Sequence, residues 1–133
     1  MFLINAKYLD RDFCLVRGDL ELENGKIKQV GKKLSYTARD MAVDCEGYTV
    51  IPGFVDVHIH GCGGADTCDG TREAITTMAR FLLQKGVTSF CPTTMTTDRE
   101  VIEGALLAAK ECMETPVEDG ARVIGINMEG PFI

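Results

Sequence analysis

A chain of 133 residues, 45% hydrophobic and 26% charged, is long enough for one ordinary domain and has the balance of a soluble globular protein. It has no apolar run fit to cross a bilayer, and its formal charge of −6, with lysines and arginines scattered, leaves no electrostatic footprint for nucleic acid or anionic lipid. Disorder, membrane insertion and nucleic-acid partners are set aside on these grounds. The six cysteines (Cys14, Cys45, Cys62, Cys68, Cys91, Cys112) form no CxxC pair and read as reduced, space-filling thiols.

Residues 1–7 carry a short apolar patch with neither a basic flank nor a long hydrophobic stretch, so no leader is expected and the chain is read as cytoplasmic. Alternating stretches at 2–8, 13–17, 20–22 and 27–30 predict a small, mostly antiparallel β unit over residues 1–51. Asn24-Gly25 signals a hairpin between the last two, since both residues tolerate positive φ. After Pro52-Gly53 the pattern changes to apolar strands at 54–60, 87–94 and 122–129 alternating with helices at 72–85 and 98–113, which places a second unit at 52–133. The first helix is expected to bury Ile75, Met78, Ala79, Leu82 and Leu83 and to stop at Gly86. The second should begin with a Thr97-Asp98-Arg99-Glu100 capping box and bury Val101, Ala105, Ala108 and Cys112. Strand-helix-strand crossovers are nearly always right-handed, so the three strands should lie parallel, in a doubly wound sheet or the opening arc of a (β/α)8 barrel. No GxGxxG or GxxxxGK[ST] loop follows the first strand, which argues against a nucleotide site.

Both histidines of the chain lie in Pro52-Gly53-Phe54-Val55-Asp56-Val57-His58-Ile59-His60-Gly61. Strict alternation puts Asp56, His58 and His60 on one face, toward a barrel axis, and Val55, Val57 and Ile59 on the other, toward covering helices. Two neutral imidazoles so spaced can converge on one divalent ion; the bland alternative is a pair of histidines hydrogen-bonding at a strand end. Asp56 either orients a ligand histidine or simply hydrogen-bonds at the strand bottom. On the third strand the alternation turns Ile124, Ile126 and Met128 outward and Val123, Gly125, Asn127 and Glu129 toward the axis. Glu129 is then a metal ligand, a general base or a solvated loop residue, and metal ligation is the reading adopted. Cys62 is set aside as a ligand because no second thiol is suitably spaced. Thr93, Thr94, Thr96 and Thr97 read as capping and turn residues, with substrate contact as the alternative. Gly61, Gly63 and Gly64 permit a tight loop, and no phosphate-binding residue is assigned.

These residues resemble a known group. Residues 52–61 are similar to the first barrel strand of the amidohydrolase superfamily. Gly63-Gly64-Ala65-Asp66, Thr88-Ser89-Phe90-Cys91-Pro92-Thr93-Thr94 and Asn127-Met128-Glu129-Gly130-Pro131-Phe132-Ile133 together resemble the N-acetylglucosamine-6-phosphate deacetylase family, over essentially the whole chain. The resemblance implies an α/β fold: the first three strands and two helices of a (β/α)8 TIM-type barrel over 52–133, preceded by the N-terminal part of a small β-sandwich over 1–51. It implies metal-dependent deacetylation of N-acetylglucosamine 6-phosphate, a small amino-sugar phosphate, to glucosamine 6-phosphate and acetate. Carried over by motif, Glu129 matches the family's carboxylate metal ligand, and His58 and His60 match the pair at an additional metal position. One or two ions are expected, zinc or iron before magnesium because imidazole is a ligand. Metal-activated water and a polarised carbonyl would do the hydrolysis, with a carboxylate passing the proton to the leaving amine. The resemblance puts that aspartate and two further metal-binding histidines on later strands, beyond Ile133, so no catalytic residue is assigned within the chain and the chain alone is expected to be inactive. Open sheet edges predict self-association, as a homo-oligomer such as a dimer. The rival readings are another amidohydrolase acting on cyclic amides or amines, and a non-catalytic, self-associating piece.

Overall fold

The computed structural model describes residues 1–131 and 133 and comprises two units, Met1–Pro52 and Gly53–Ile133. Phe132, part of the last motif, lies outside the described residues. Among these residues no helix is long and apolar enough to cross a membrane.

In the first unit β1 (Phe2–Leu9) pairs antiparallel with β2 (Leu15–Glu23), which pairs antiparallel with β3 (Lys26–Gly31). On its other side β1 pairs in parallel with β4 (Ala42–Asp44) and β5 (Thr49–Val50), two short strands that alternation does not reveal. Asn24 and Gly25 take φ 51° and 72° and close Glu23 against Lys26, the hairpin the sequence predicts. The stretches expected at 13–17 and 20–22 join as one strand that starts later. Phe13 sits at φ 57° in a turn where the Asp10 carboxylate accepts the Asp12 and Cys14 amides, both at 2.9 Å. Gly18 continues the strand because a Cβ there would run into the Gly31 carbonyl oxygen. Buried Asp19 accepts the Asn5 amide at 3.0 Å and the Leu34 amide at 2.8 Å, holding the register shift in β1. One face of this sheet opens as an apolar hollow of about 910 Å3, lined in part by Leu3, Leu20, Leu22, Ile27 and Val50.

The second unit is built on β9 (Val87–Thr94), with β6 (Phe54–Ile59) parallel on one side. On its other side run β10 (Arg122–Val123) and β11 (Asn127–Met128), also parallel. A hairpin of β7 (Gly61–Cys62) and β8 (Ala65–Asp66) follows β6. Helices α1 (Arg72–Gln84) and α2 (Arg99–Glu114) supply Ile75, Met78, Ala79, Leu82, Ala108 and Cys112 to a core centred on Phe90, with Ala121 and Val123. Thr71 caps α1 by accepting the Ala74 amide at 3.2 Å, and Gly86, at φ 82°, ends it. Leu83, at the edge of the apolar stripe, is exposed, and Ala74 is buried in its stead.

The expected Thr97–Glu100 capping box does not form. Asp98 is the N-cap, its carbonyl accepting the Val101 and Ile102 amides at 3.1 Å, so Glu100 stands one position too early in the helix to reach back to the cap. A capping box forms instead at the 3-10 turn Thr67–Asp69, where Asp66 and Asp69 accept the Cys68 and Asp66 amides, each at 2.8 Å. In α2 Ile102 and Ala109 are buried with Ala105, Ala108 and Cys112, while Val101 is half-buried.

Two irregularities in the parallel sheet decide what faces the site. The third strand, expected as one run over 122–129, breaks at 124–126, since Pro92, on the side of β9 that faces it, has no amide hydrogen to donate. Val123 pairs with Phe90 and Asn127 with Thr93, four steps against three, so one extra residue reverses the alternation. Val123 therefore packs under the helices, not toward the axis as expected, and Ile124 is exposed. In β6 Asp56 pairs with Phe90 and Ile59 with Pro92, three steps against two. That bulge puts Asp56 on the helix-covered side with Ile59, away from the histidines it was expected to join. Val55 and Val57, expected under helices, are exposed on an edge strand.

Candidate metal centre

His58, His60 and Glu129 stand at the C-terminal ends of parallel strands, His58 in β6, His60 one residue past it and the carboxylate one residue past β11. His58 Nε2 lies 3.4 Å from His60 Nε2, and Glu129 Oε2 lies 2.8 Å from the first and 3.3 Å from the second. A tetrahedral ion with donors at ~2.0–2.1 Å spaces them about 3.3 Å apart, so the donor set fits a divalent ion by chemistry and in two of its three spacings, the third being a direct hydrogen-bond contact between His58 and Glu129. The side chains are 52%, 32% and 29% exposed, which leaves the cluster open to a small molecule.

The surrounding hydrogen bonds fix this cluster. His60 Nδ1 is 3.2 Å from the Thr93 carbonyl oxygen, which can only accept, so Nδ1 is the donor there and Nε2 is the ring nitrogen turned to the cluster. The bulge in β6 removes main-chain groups from the ladder, and side chains take them up. Asp56 Oδ1 accepts the His58 amide at 3.0 Å, Thr93 Oγ1 accepts the Ile59 amide at 3.0 Å, and Asn127 Nδ2 donates to the Val57 carbonyl at 3.0 Å. Asp56 thus holds main chain and does not touch an imidazole. After Glu129 the chain needs glycine, because a Cβ at Gly130 would overlap the Met95 carbonyl oxygen.

Of the other residues singled out from sequence, Thr93 and Thr94 are buried, and the Thr94 hydroxyl has no partner among the described residues. Thr96 and Thr97 are exposed. Gly63 and Gly64, at φ 64° and 85°, form the turn of the β7–β8 hairpin. Cys62 turns away from the histidines to pack on the helix-covered core, with Sγ 3.8 Å from the Met78 carbonyl oxygen. Burial, and then the Asp56 charge, pushes its thiol above the ordinary cysteine range, which disfavours a ligating thiolate. Cys62→Ala is expected to leave metal affinity within about twofold, measured by competition with a chromophoric chelator; a tenfold loss would restore the cysteine as a ligand candidate. Sequence reasoning gave Thr93 and Asn127 no role at the cluster. The available signal was a hydroxyl and an amide on inward strand positions, where polar groups require partners.

The amidohydrolase family model matches residues 49–131, more than half of the chain, and the chain belongs to the amidohydrolase family. Over 133 residues it is 39% identical to the N-acetylglucosamine-6-phosphate deacetylase of Mus musculus, covering 92% of this chain and 31% of that protein. The fold is similar to that of N-acetylglucosamine-6-phosphate deacetylase from Pasteurella multocida, with a TM-score of 0.85 at 24% identity over 99% of this chain and 34% of that one. It is also similar to a mutant of the Mycobacterium smegmatis deacetylase in complex with N-acetyl-D-glucosamine-6-phosphate, with a TM-score of 0.72 at 27% identity over 100% of this chain and 33% of that one. The chain spans about a third of the length of each of these relatives.

Proposed function

We propose that the chain carries the opening part of a cytoplasmic N-acetylglucosamine-6-phosphate deacetylase, with His58, His60 and Glu129 as ligands of a divalent ion. The observation that carries this reading is the meeting of two imidazole nitrogens and one carboxylate oxygen, all within 4.8 Å, from strands on either side of β9. Two nitrogen donors favour zinc or iron over magnesium. On this reading β6, β9 and the β10–β11 strand are the first three strands of a (β/α)8 barrel, whose C-terminal face is the usual place for catalysis. The first unit is then part of a small β-sandwich, with its apolar hollow turned to further strands.

When bound, the ion supplies Lewis-acid polarisation of the acetamide carbonyl and acidifies water. The residues of this chain orient the donors. His60 is held in the tautomer that offers Nε2, and Glu129 brings the negative charge that two neutral imidazoles lack. Asp56, on the opposite face and engaged by the His58 amide, is not placed to move a proton at the substrate. The carboxylate that does so is assigned to a part of the enzyme outside these residues. Exposed Val55 and Val57 on an edge strand support self-association of the isolated chain.

The test is acetate release from N-acetylglucosamine 6-phosphate by the complete protein that contains this chain, loaded with zinc or iron. One glucosamine 6-phosphate should appear per acetate, with activity lost on chelation and restored by metal. Turnover of a cyclic amide but not of the amino-sugar phosphate would overturn the substrate assignment.

A further inference from the structure

The bulge of β6 takes the Val57–His58 peptide and the Ile59 amide out of the regular ladder, and the ring of His58 hangs between them. A donor set works only if its members hold position to within about 0.5 Å, so an unpaired peptide at this point is a weakness unless something pins it. The Asn127 side chain does so: its Nδ2 reaches across from β11 to the Val57 carbonyl at 3.0 Å, and Asn127 stands two residues before Glu129. The same amide therefore touches the peptide that carries one donor and belongs to the segment that carries another.

We propose that Asn127 is a positioning residue that locks the β6 bulge to the Glu129 strand, so that His58 and Glu129 keep their spacing as one body. The inference rests on His58, His60 and Glu129 being the metal ligands. Asp56 holds the amide of this same peptide and Thr93 the amide of the next, and Asn127 is the member of this trio that reaches from the far strand. A different residue of similar volume without a donor would leave the Val57 carbonyl without its cross-strand partner, and the peptide held only through its amide by Asp56 of the same strand.

Asn127→Leu keeps the bulk and removes the donor; Asn127→Ser, too short to reach Val57, serves if the leucine variant does not fold. Two readouts are taken on the chain itself, cobalt(II) titration followed by visible absorption and amide hydrogen exchange of His58 and Ile59 without metal. The lock predicts a loss of cobalt affinity of about 10–100-fold, the range for removing an orienting partner. It also predicts faster exchange at both amides, with the rest of the spectrum unchanged. Cobalt affinity within twofold of the unaltered chain, or unchanged exchange, overturns it. If the unaltered chain takes up no cobalt, the metal assignment fails separately and exchange alone decides: faster rates uphold the lock and unchanged rates overturn it.

Discussion

Replacing Glu129 by alanine is expected to weaken zinc or cobalt binding by more than about 100-fold, beyond the ~10–100-fold that loss of an orienting partner causes. The carboxylate is the one anion among the three donors, and it lies 2.8 Å and 3.3 Å from the two imidazole nitrogens. Its removal leaves two neutral rings, the first half-exposed, with no charge to oppose that of the ion. Glu129→Gln keeps the shape without the charge and should fall between the alanine variant and the unaltered chain. Because Glu129 is outside the buried core, far-ultraviolet circular dichroism should be unchanged in both variants. Stoichiometric metal retained by Glu129→Ala would remove it from the ligand set.

The largest stability loss should come from Phe90→Ala. Phe90 is fully buried at the centre of the second unit's core, between α1 and α2 and beside Val123. Large-to-small changes at such aromatic sites cost about 3–5 kcal/mol, against a total of ~5–15 kcal/mol for a typical domain. Urea unfolding should show the midpoint falling steeply, whereas Leu107→Ala, at a position two-thirds exposed on α2, should change stability by no more than about 0.5 kcal/mol. Phe90 also pairs with Asp56 on one side and Val123 on the other, so its loss should loosen β6 and β10 against β9. A destabilisation below about 1 kcal/mol would mean that the core is organised around other residues.

Features set by local chemistry were legible in the sequence. Asn24-Gly25 makes its hairpin because few other residues adopt positive φ at both positions, and the stripe Ile75, Met78, Ala79, Leu82 is buried as its spacing requires. The parallel order of the three strands followed from crossover geometry, and the two histidines do share the face that meets Glu129. Strict alternation failed where a strand gains a residue. Asp56 changes sides at the bulge in β6, and Val123 and Ile124 change sides at the break that Pro92 causes in the third strand. A bulge depends on what the neighbouring strand can donate, which a pattern read along one strand does not contain. The capping box failed for a similar reason: Thr97 and Glu100 have the right spacing, but the backbone begins the helix one residue later. Asn127 and Thr93 acquire their roles only through partners 70 and 34 positions away, Val57 and Ile59.

Anomalous diffraction from crystals of the metal-loaded protein tests the central claim most directly. A peak within about 2.0–2.2 Å of His58 Nε2, His60 Nε2 and Glu129 Oε2 together is the result expected for a tetrahedral zinc site. An ion bound elsewhere, or these three side chains turned apart around an empty space in metal-saturated crystals, would contradict it.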